Sequence, residues 1–520
     1  MQVDYVIAGG GTAGCVMAAR LSEDPGVTVL LLEAGARGRN PLLQVPAGLA
    51  EALGNRVADW DFSTVAQQAL NGRRLRWPRG RVLGGSSGIN AMCYARADLS
   101  DYDAWGHGWS GAEALHLFKA AETHSEGRSQ WHGDAGPLRV TRPVWHHPAT
   151  ARFLEAGVQA GHRPVVDFAA PDHDGIGRFD TTTHRGLRCS VARAYLSRAV
   201  LARPNLNVRT GAQVARILFD GSRAAGVVLV DGTEITAVRE VILSAGAVKT
   251  PQMLMLSGVG PASHLREHGI GLVRDVPGVG ANLQDHLDIG CMILTRPGSA
   301  IGYAPGFIAQ ALAAPWAWLR GRTGLLASNL AEGCGFARSR PDLSKPDIQF
   351  HFLPALGENH GQTRNWGRTG VSLHACALYP KSRGTIRLAS SDPEAKPVID
   401  PRYLSVEADI LPLIAGARMA AEILSQAAFD DIRLRWHRPE AVPETDAEWE
   451  AEIRARAETI YHPVGTAAIG DVTDGEGRVV GLEGLRVVDA SLMPLIVGGN
   501  TNAPVVMMAE RIARRMRAVR

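Results

Sequence analysis

The chain has 520 residues, room for three to four folding units or two large ones, so a sizeable core is expected. With 45% apolar and 21% charged residues it lies near the globular average, which excludes a disordered, collagen-like or disulfide-scaffold chain. The 55 basic and 52 acidic residues leave a net charge of only +3 with no basic block, so nucleic acid is not an expected partner.

The first residues run straight into an apolar strand over 3–8, without a basic leader or cleavage site, and no N-x-[ST] sequon occurs; the cytoplasm is the expected location. Gly9-Gly10-Gly11-Thr12-Ala13-Gly14 reads as a turn, 15–21 as a helix, and 27–32 as a second strand ending at Glu33. In a chain with 58 glycines the G-x-G-x-x-G spacing alone carries little weight. Set between a strand and a helix, with a carboxylate about 20 residues on, it predicts a dinucleotide site. Gly9, Gly11 and Gly14 let backbone reach a pyrophosphate at the helix N-terminus, flanked by Thr12 and Ala13. Glu33, with Ala34 beside it, can accept bonds from the adenosine ribose hydroxyls, which disfavours NADP and leaves FAD or NAD. A second glycine-rich stretch over 80–92, containing Val82, Gly84 and Gly85, is superfluous in a simple NAD fold. It suits a longer cofactor whose phosphates and ring both meet backbone, so FAD is expected.

Further along, 206–209, 213–219, 226–229 and 234–238 read as a meander turning at Asp220-Gly221 and Asp231-Gly232, followed by a separate apolar strand over 241–245. The greasy run 307–319, interrupted by Gln310 and Pro315, is short of the roughly 18 residues a spanning helix needs. A plain buried helix and loop is expected there, with a pocket cover or peripheral membrane contact as alternatives. Residues 347–353 and 371–377 alternate with period two, which predicts antiparallel strands and places His351 and His374 on polar-containing faces that could line a pocket. Residues 407–424, 446–460 and 504–517 read as helices. Six well-separated cysteines, without C-x-x-C or neighbouring histidines, predict neither a disulfide framework nor a metal site.

Six separated motifs then stand in order: the N-terminal fingerprint with Leu32-Glu33-Ala34-Gly35; the stretch from Gly80 to Asn90 with Tyr102-Asp103-x-Trp105; Gly246 to Gly260; Pro277 to His286; Tyr461-His462-Pro463-Val464-Gly465-Thr466; and Asp489 to Pro494 leading to Gly499-Asn500-Thr501-Asn502-Ala503-Pro504. Together they resemble the glucose-methanol-choline oxidoreductases, FAD-dependent alcohol oxidases and dehydrogenases, over essentially the whole chain. The resemblance implies an α/β Rossmann-like FAD-binding domain from discontinuous segments (1–140, 190–285 and 460–520). It also implies an α+β substrate domain with a mostly antiparallel sheet (141–189 and 286–459). His462 falls at the family's catalytic base and Asn500 at its partner position. Asp489, Ala490 and Thr501 fall in segments lining the flavin, Asn90 and Ala91 near its ring, and Val214 and Ala245 near its adenine half. Where relatives attach FAD through histidine this chain has Ile89, which implies non-covalent FAD. Glu332 resembles a position where choline-oxidising members hold a carboxylate.

The chemistry of these residues suits the assignment. A histidine with an ordinary pKa of about 6.5 can take a hydroxyl proton, and an asparagine amide can only orient the oxygen. The expected activity is oxidation of a neutral aryl or medium-chain primary alcohol to the aldehyde, with dioxygen or a quinone-type carrier as electron acceptor. The candidate pocket strands offer Phe350, Phe352, Leu353, Leu373 and Leu378, with Glu332 and His351 as candidate substrate contacts. Choline oxidation and a non-redox hydroxynitrile lyase are the alternatives.

Overall fold

The computed structural model describes residues 1–38, 40–49, 58–361 and 363–518. Its first seven-stranded sheet begins where the apolar runs predict, with the strand Gln2–Ala8 beside Val29–Glu33, and Leu206–Thr210 outside that. All three are parallel, and the βαβ unit closes through the helix Thr12–Leu21. The central residues Val6 to Ala8 and Leu30 to Leu32 are fully buried, as expected for parallel strands covered on both faces.

On the other side of Gln2–Ala8 lies Glu234–Leu243, a single ten-residue strand where two separate strands are expected. Its first half alternates exposed and buried residues and pairs antiparallel with Arg223–Leu229, which in turn pairs with Val214–Asp220. Its last residues, Val241 to Leu243, are fully buried between Gln2–Ala8 and Leu485–Val487. The change in texture along the sequence therefore reports a change in covering, not a chain break.

The second seven-stranded sheet is antiparallel, in the order Arg433–Arg438, Leu287–Thr295, Thr369–Ala377, Ile348–Leu353, Gly333–Ala337 and Gly175–Arg178. The helix Ile410–Ser425 covers one face and buries Leu413, Ala417, Ala420 and Leu424 against it. Phe350, Phe352 and Leu373 point into this apolar layer, where Phe352 stacks on Phe153 at 4.6 Å. The alternate residues Gln349, His351 and Leu353 consequently face the other way.

Helix boundaries differ from expectation: the first helix starts at Thr12 instead of 15, and the helix expected over 407–424 starts at Ile410. The helix Asp446–Arg456, which opens with a capping box of Thr445 and Glu448, stops four residues early. Glu458–Thr459 instead joins the second sheet beside Leu287 and Asp288, delivering the chain at Tyr461-His462 to the space between the sheets. The last helix, Asn502–Ala518, starts two residues early.

The run expected to be buried forms the helix Pro305–Gly321, whose large apolar side chains are mostly exposed. Of its alanines only Ala314 is buried; Ala313 and Ala317 border an open cavity against His147, Pro148 and Gly298. No helix among the described residues is long and apolar enough to cross a membrane.

Candidate active site

A continuous cavity runs between the two sheets. One end is built by the fingerprint. Gly9, Gly11, Thr12 and Ala13 line it, and the helix they open has neither a side-chain cap nor an acidic residue in its first turn, so its N–H groups are available to an anion. Two glycines are sterically required. A Cβ on Gly9 would sit 2.5 Å from the Ser244 carbonyl oxygen, and one on Gly85 2.8 Å from Cα of Gly11, so the second glycine stretch packs directly on the first. Glu33 is buried at this end and accepts from Gly10 N at 2.9 Å and Gly35 N at 2.7 Å; burial pushes its carboxyl up to about 7 against those two bonds.

Ala34, Gly85, Asn90, Ala91, Val214, Ala245, Asp489, Ala490 and Thr501 also line the cavity, as do His351, His462 and Asn500. Gly14, Val82, Gly84 and Glu332 do not line this cavity. Gly14 serves helix-to-strand packing, since a Cβ there would lie 2.0 Å from the Gly9 carbonyl oxygen. Val82 packs with Leu43 and Ile89 behind the wall, and Gly84 supplies a left-handed turn at φ 100°. The Glu332 carboxylate accepts from His147 N at 2.8 Å, Thr150 Oγ1 at 2.5 Å and Ser328 Oγ at 2.6 Å, holding the start of the helix Pro148–Gln159. It is spent on the fold.

Asp489 accepts from Gly246 N, Thr250 Oγ1 and both N and Oγ of Ser491, which ties its own turn to the start of the helix Gly246–Leu256 at the cavity. Thr12 Oγ1 donates to Asn502 Oδ1 at 2.8 Å, joining the first and last helices. Arg188, fully buried, donates to the Asn90 carbonyl at 2.6 Å and to its Oδ1 at 2.9 Å, so Asn90 is held from behind.

At the other end His462 meets Asn500, with Asn500 Nδ2 3.4 Å from His462 Nε2. Gln349 Nε2 donates to Asn500 Oδ1 at 3.1 Å, which orients the amide. Behind His462 stands His286, fully buried, its Nδ1 3.0 Å from His462 Nδ1 and its Nε2 2.9 Å from the Leu378 carbonyl oxygen. A carbonyl can only accept, so His286 carries its proton on Nε2. Burial lowers its pKa to about 4, so it is neutral and its Nδ1 accepts. His462 must then hold its proton on Nδ1, and its Nε2 lone pair faces Asn500 and the cavity. Burial, followed by His286 and His351, holds His462 well below the ordinary histidine pKa, in its neutral form.

The backbone of this residue is fixed as well. His462 N donates to Asp285 Oδ1 at 2.7 Å; the other carboxylate oxygen takes Thr459 Oγ1 at 2.5 Å and the Tyr403 hydroxyl. Arg79, half-buried, donates to the Tyr461 carbonyl at 2.5 Å. Leu353, Ile460, Cys93 and Ala331 supply apolar wall. Asp288 also reaches the cavity, bound to His374 Nδ1 at 2.9 Å. Sequence reasoning passed over His286 and Asp285 although both stand in the motif from Pro277 to His286. Gln349, two residues before His351 on the same strand face, is a further residue that sequence reasoning did not single out.

Comparison with known proteins agrees with this geometry. GMC oxidoreductase models match residues 3–288 and 380–509. The chain is 45% identical over 529 residues, 98% of its length and 95% of the relative's, to an alcohol dehydrogenase (acceptor) from Pseudomonas putida. It is 43% identical over 542 residues, 99% of its length and 94% of the relative's, to an oxygen-dependent choline dehydrogenase from Ectopseudomonas mendocina. Among solved structures, pyridoxine 4-oxidase from Mesorbium loti superimposes with a TM-score of 0.89 at 32% identity, covering 99% of each chain. The chain belongs to the GMC oxidoreductase family of FAD-dependent enzymes that act on CH–OH groups.

Proposed function

We propose that this enzyme oxidises a neutral primary alcohol, aryl or medium-chain alkyl, to the aldehyde, with His462 as general base and Asn500 orienting the hydroxyl. The observation that carries this reading is the His286–His462 contact, because it leaves Nε2 of a neutral His462 unprotonated on the cavity side. A base in that state takes the hydroxyl proton without first losing one of its own. The Asn500 amide, held by Gln349, donates to the alcohol oxygen and keeps it against Nε2. FAD, held by the fingerprint and the second glycine stretch, supplies the hydride acceptor when bound. Protonated His462 keeps its Nδ1–H on His286, and buried Asp285 and Asp288 sit near enough to ease the positive charge. With no nucleophile at Ile89, attachment of FAD through that position is closed and the cofactor is held non-covalently.

Substrate class follows from the walls. An apolar ligand gains about 25 cal/mol for each Å² buried against Leu353, Ile460 and their neighbours, whereas a sugar would leave hydroxyls unpaired at about 1–3 kcal/mol each. The second reading, choline, has two observations in its favour: Asp288 is a carboxylate at the cavity, and relatives named choline dehydrogenase are 43% identical. Its pairing with His374 and the removal of Glu332 from the wall favour the neutral alcohol.

The test is anaerobic bleaching of the flavin absorbance by benzyl alcohol, hexanol, choline and glucose, followed by steady-state assays with dioxygen or an artificial acceptor. The aryl and alkyl alcohols are expected to give the highest kcat/KM. Choline or glucose ahead of both overturns the substrate assignment, and mandelonitrile cleavage without bleaching by any alcohol points to a lyase.

A further inference from the structure

The helix Pro305–Gly321 contradicts the usual rule that an all-round apolar helix is buried. Between Pro305 and Leu319 it has no Asp, Glu, Lys or Arg. Yet Ile308, Leu312, Trp316 and Leu319, spaced 4, 4 and 3 residues apart on one face, are 57%, 72%, 65% and 61% exposed. Nothing among the described residues covers that face. The inner side is held at both ends: Gln310 Nε2 donates to the Gly298 carbonyl at 3.3 Å, and Trp318 Nε1 to the Gly186 carbonyl at 2.8 Å. The helix is thus tethered to the body at two points with its apolar face outward, about 25 Å long at 1.5 Å per residue.

The surroundings give the patch a sign. No Asp or Glu occurs from 289 to 331, while Arg296, Arg320 and Arg322 do. At the C-terminal end the Arg320 guanidinium lies 5.7 Å from the Trp316 ring and that of Arg322 3.8 Å from the Trp318 ring. Just before the N-terminal end, Tyr303 packs at 4.9 Å on Trp366, on a loop that carries Arg364 and Arg368. Apolar side chains in the middle with tryptophan, tyrosine and arginine at both ends form the pattern of a helix lying in a membrane interface. A second copy of this chain docking helix to helix would set arginines against arginines, with no carboxylate in 289–331 to meet them.

We propose that this helix docks the enzyme on an anionic lipid bilayer, inserting Ile308, Leu312, Trp316 and Leu319 among the acyl chains while the flanking arginines meet lipid phosphates. The patch is tied to the site: Ile301, just before the helix, bridges to Ala355, two residues beyond the cavity-lining Leu353. Docking therefore holds the cavity's apolar side close to membrane-dissolved alcohols.

The experiment is flotation of the FAD-loaded full chain with phosphatidylcholine vesicles and with mixed phosphatidylcholine/phosphatidylglycerol vesicles, at low and high salt. The protein is expected to float with the anionic vesicles, less so at high salt. L312Q/W316Q/L319Q, which alters only exposed side chains, is expected to bind at least about tenfold more weakly with unchanged flavin content and unchanged oxidation of a water-soluble alcohol. R320Q/R322N, where asparagine suits the left-handed backbone at φ 53°, is expected to lose the preference for anionic vesicles. Wild-type protein that floats with neither vesicle type, or flotation unchanged in the triple variant, overturns the proposal. So does a dimer seen by light scattering that the triple variant dissolves, because the patch would then be an interface between copies.

Discussion

The base role proposed for His462 rests on its neighbours, and each neighbour can be tested separately. His462→Ala is expected to slow flavin reduction by alcohol at least about a hundredfold while FAD stays bound, because a positioned base contributes that much or more. Asn500→Ala removes one orienting bond, worth about 0.5–1.5 kcal/mol, and is expected to cost roughly two- to twelvefold. Since burial and the nearby His286 hold the folded His462 pKa below 6.5, its base form is present throughout the range above that value. The kcat/KM for alcohol should accordingly stay flat from pH 6.5 upward as far as this group controls it, with the acid limb lying lower. His286→Leu takes away the acceptor of the Nδ1 proton and a source of the lowered pKa. Its expected signature is a slower reduction and an acid limb moved to higher pH, whereas His286→Asn, whose amide oxygen stands near the place of Nδ1, should recover part of the rate. Equal profiles for the two variants would remove His286 from the mechanism.

At the scale of elements, face matters more than composition. The strand Ile348–Leu353 sends its phenylalanines into the apolar layer under Ile410–Ser425 and its His351 and Leu353 to the cavity, with Gln349 bonded to Asn500, so the aromatic walls expected from the sequence are on the far side. A different element holds a buried charge cluster. His132, stacked on His124 at 3.8 Å, bonds Glu122 at 2.9 Å and Asp167 at 3.1 Å, while His124 bonds Asp180; Arg96 and Arg142 complete it. Although burial pulls its pKa down, the bonds to Asp167 and Glu122 win and raise His132 to about 9; Glu122 and Asp167 are each lowered to about 2, again against burial. A raised histidine stabilises fully below its ordinary value of 6.5 and loses that contribution as pH climbs through 9. Depressed carboxyls stabilise above their ordinary values and lose the contribution as pH falls towards 2. His132→Gln is therefore expected to lower Tm most near pH 6 and least above pH 9, as thermal melts across that range would show. A constant Tm difference would mean that the cluster acts by packing alone.

For the whole molecule, the two sheets matter because each brings half of the cavity: the first supplies the glycine-rich turns, the second the wall with His351 and Leu353, and the segment Tyr461-His462 passes between them. Nothing in that junction offers a covalent anchor at position 89, where Ile89 is buried with Val82 and Leu43. Acid precipitation of the purified yellow protein should leave all the flavin in the supernatant as FAD. Flavin remaining in the pellet would mean another residue attaches it.

The sequence by itself determined the βαβ unit, the dinucleotide turn and the order of motifs from Gly9 to Pro504, because these depend on local backbone demands written in consecutive residues. It also marked His462, Asn500 and many of the residues that line the cavity, since they lie inside those motifs. Tertiary structure alone decided which strand face meets the cavity and which carboxylates are already spent, as Glu332 is at a helix start. It alone paired His286 with His462 across 176 residues, a contact that makes one nitrogen a donor and leaves the other bare. And it alone left an apolar helix outside the core, because burial depends on what the rest of the chain packs against that segment, a property no window of residues contains.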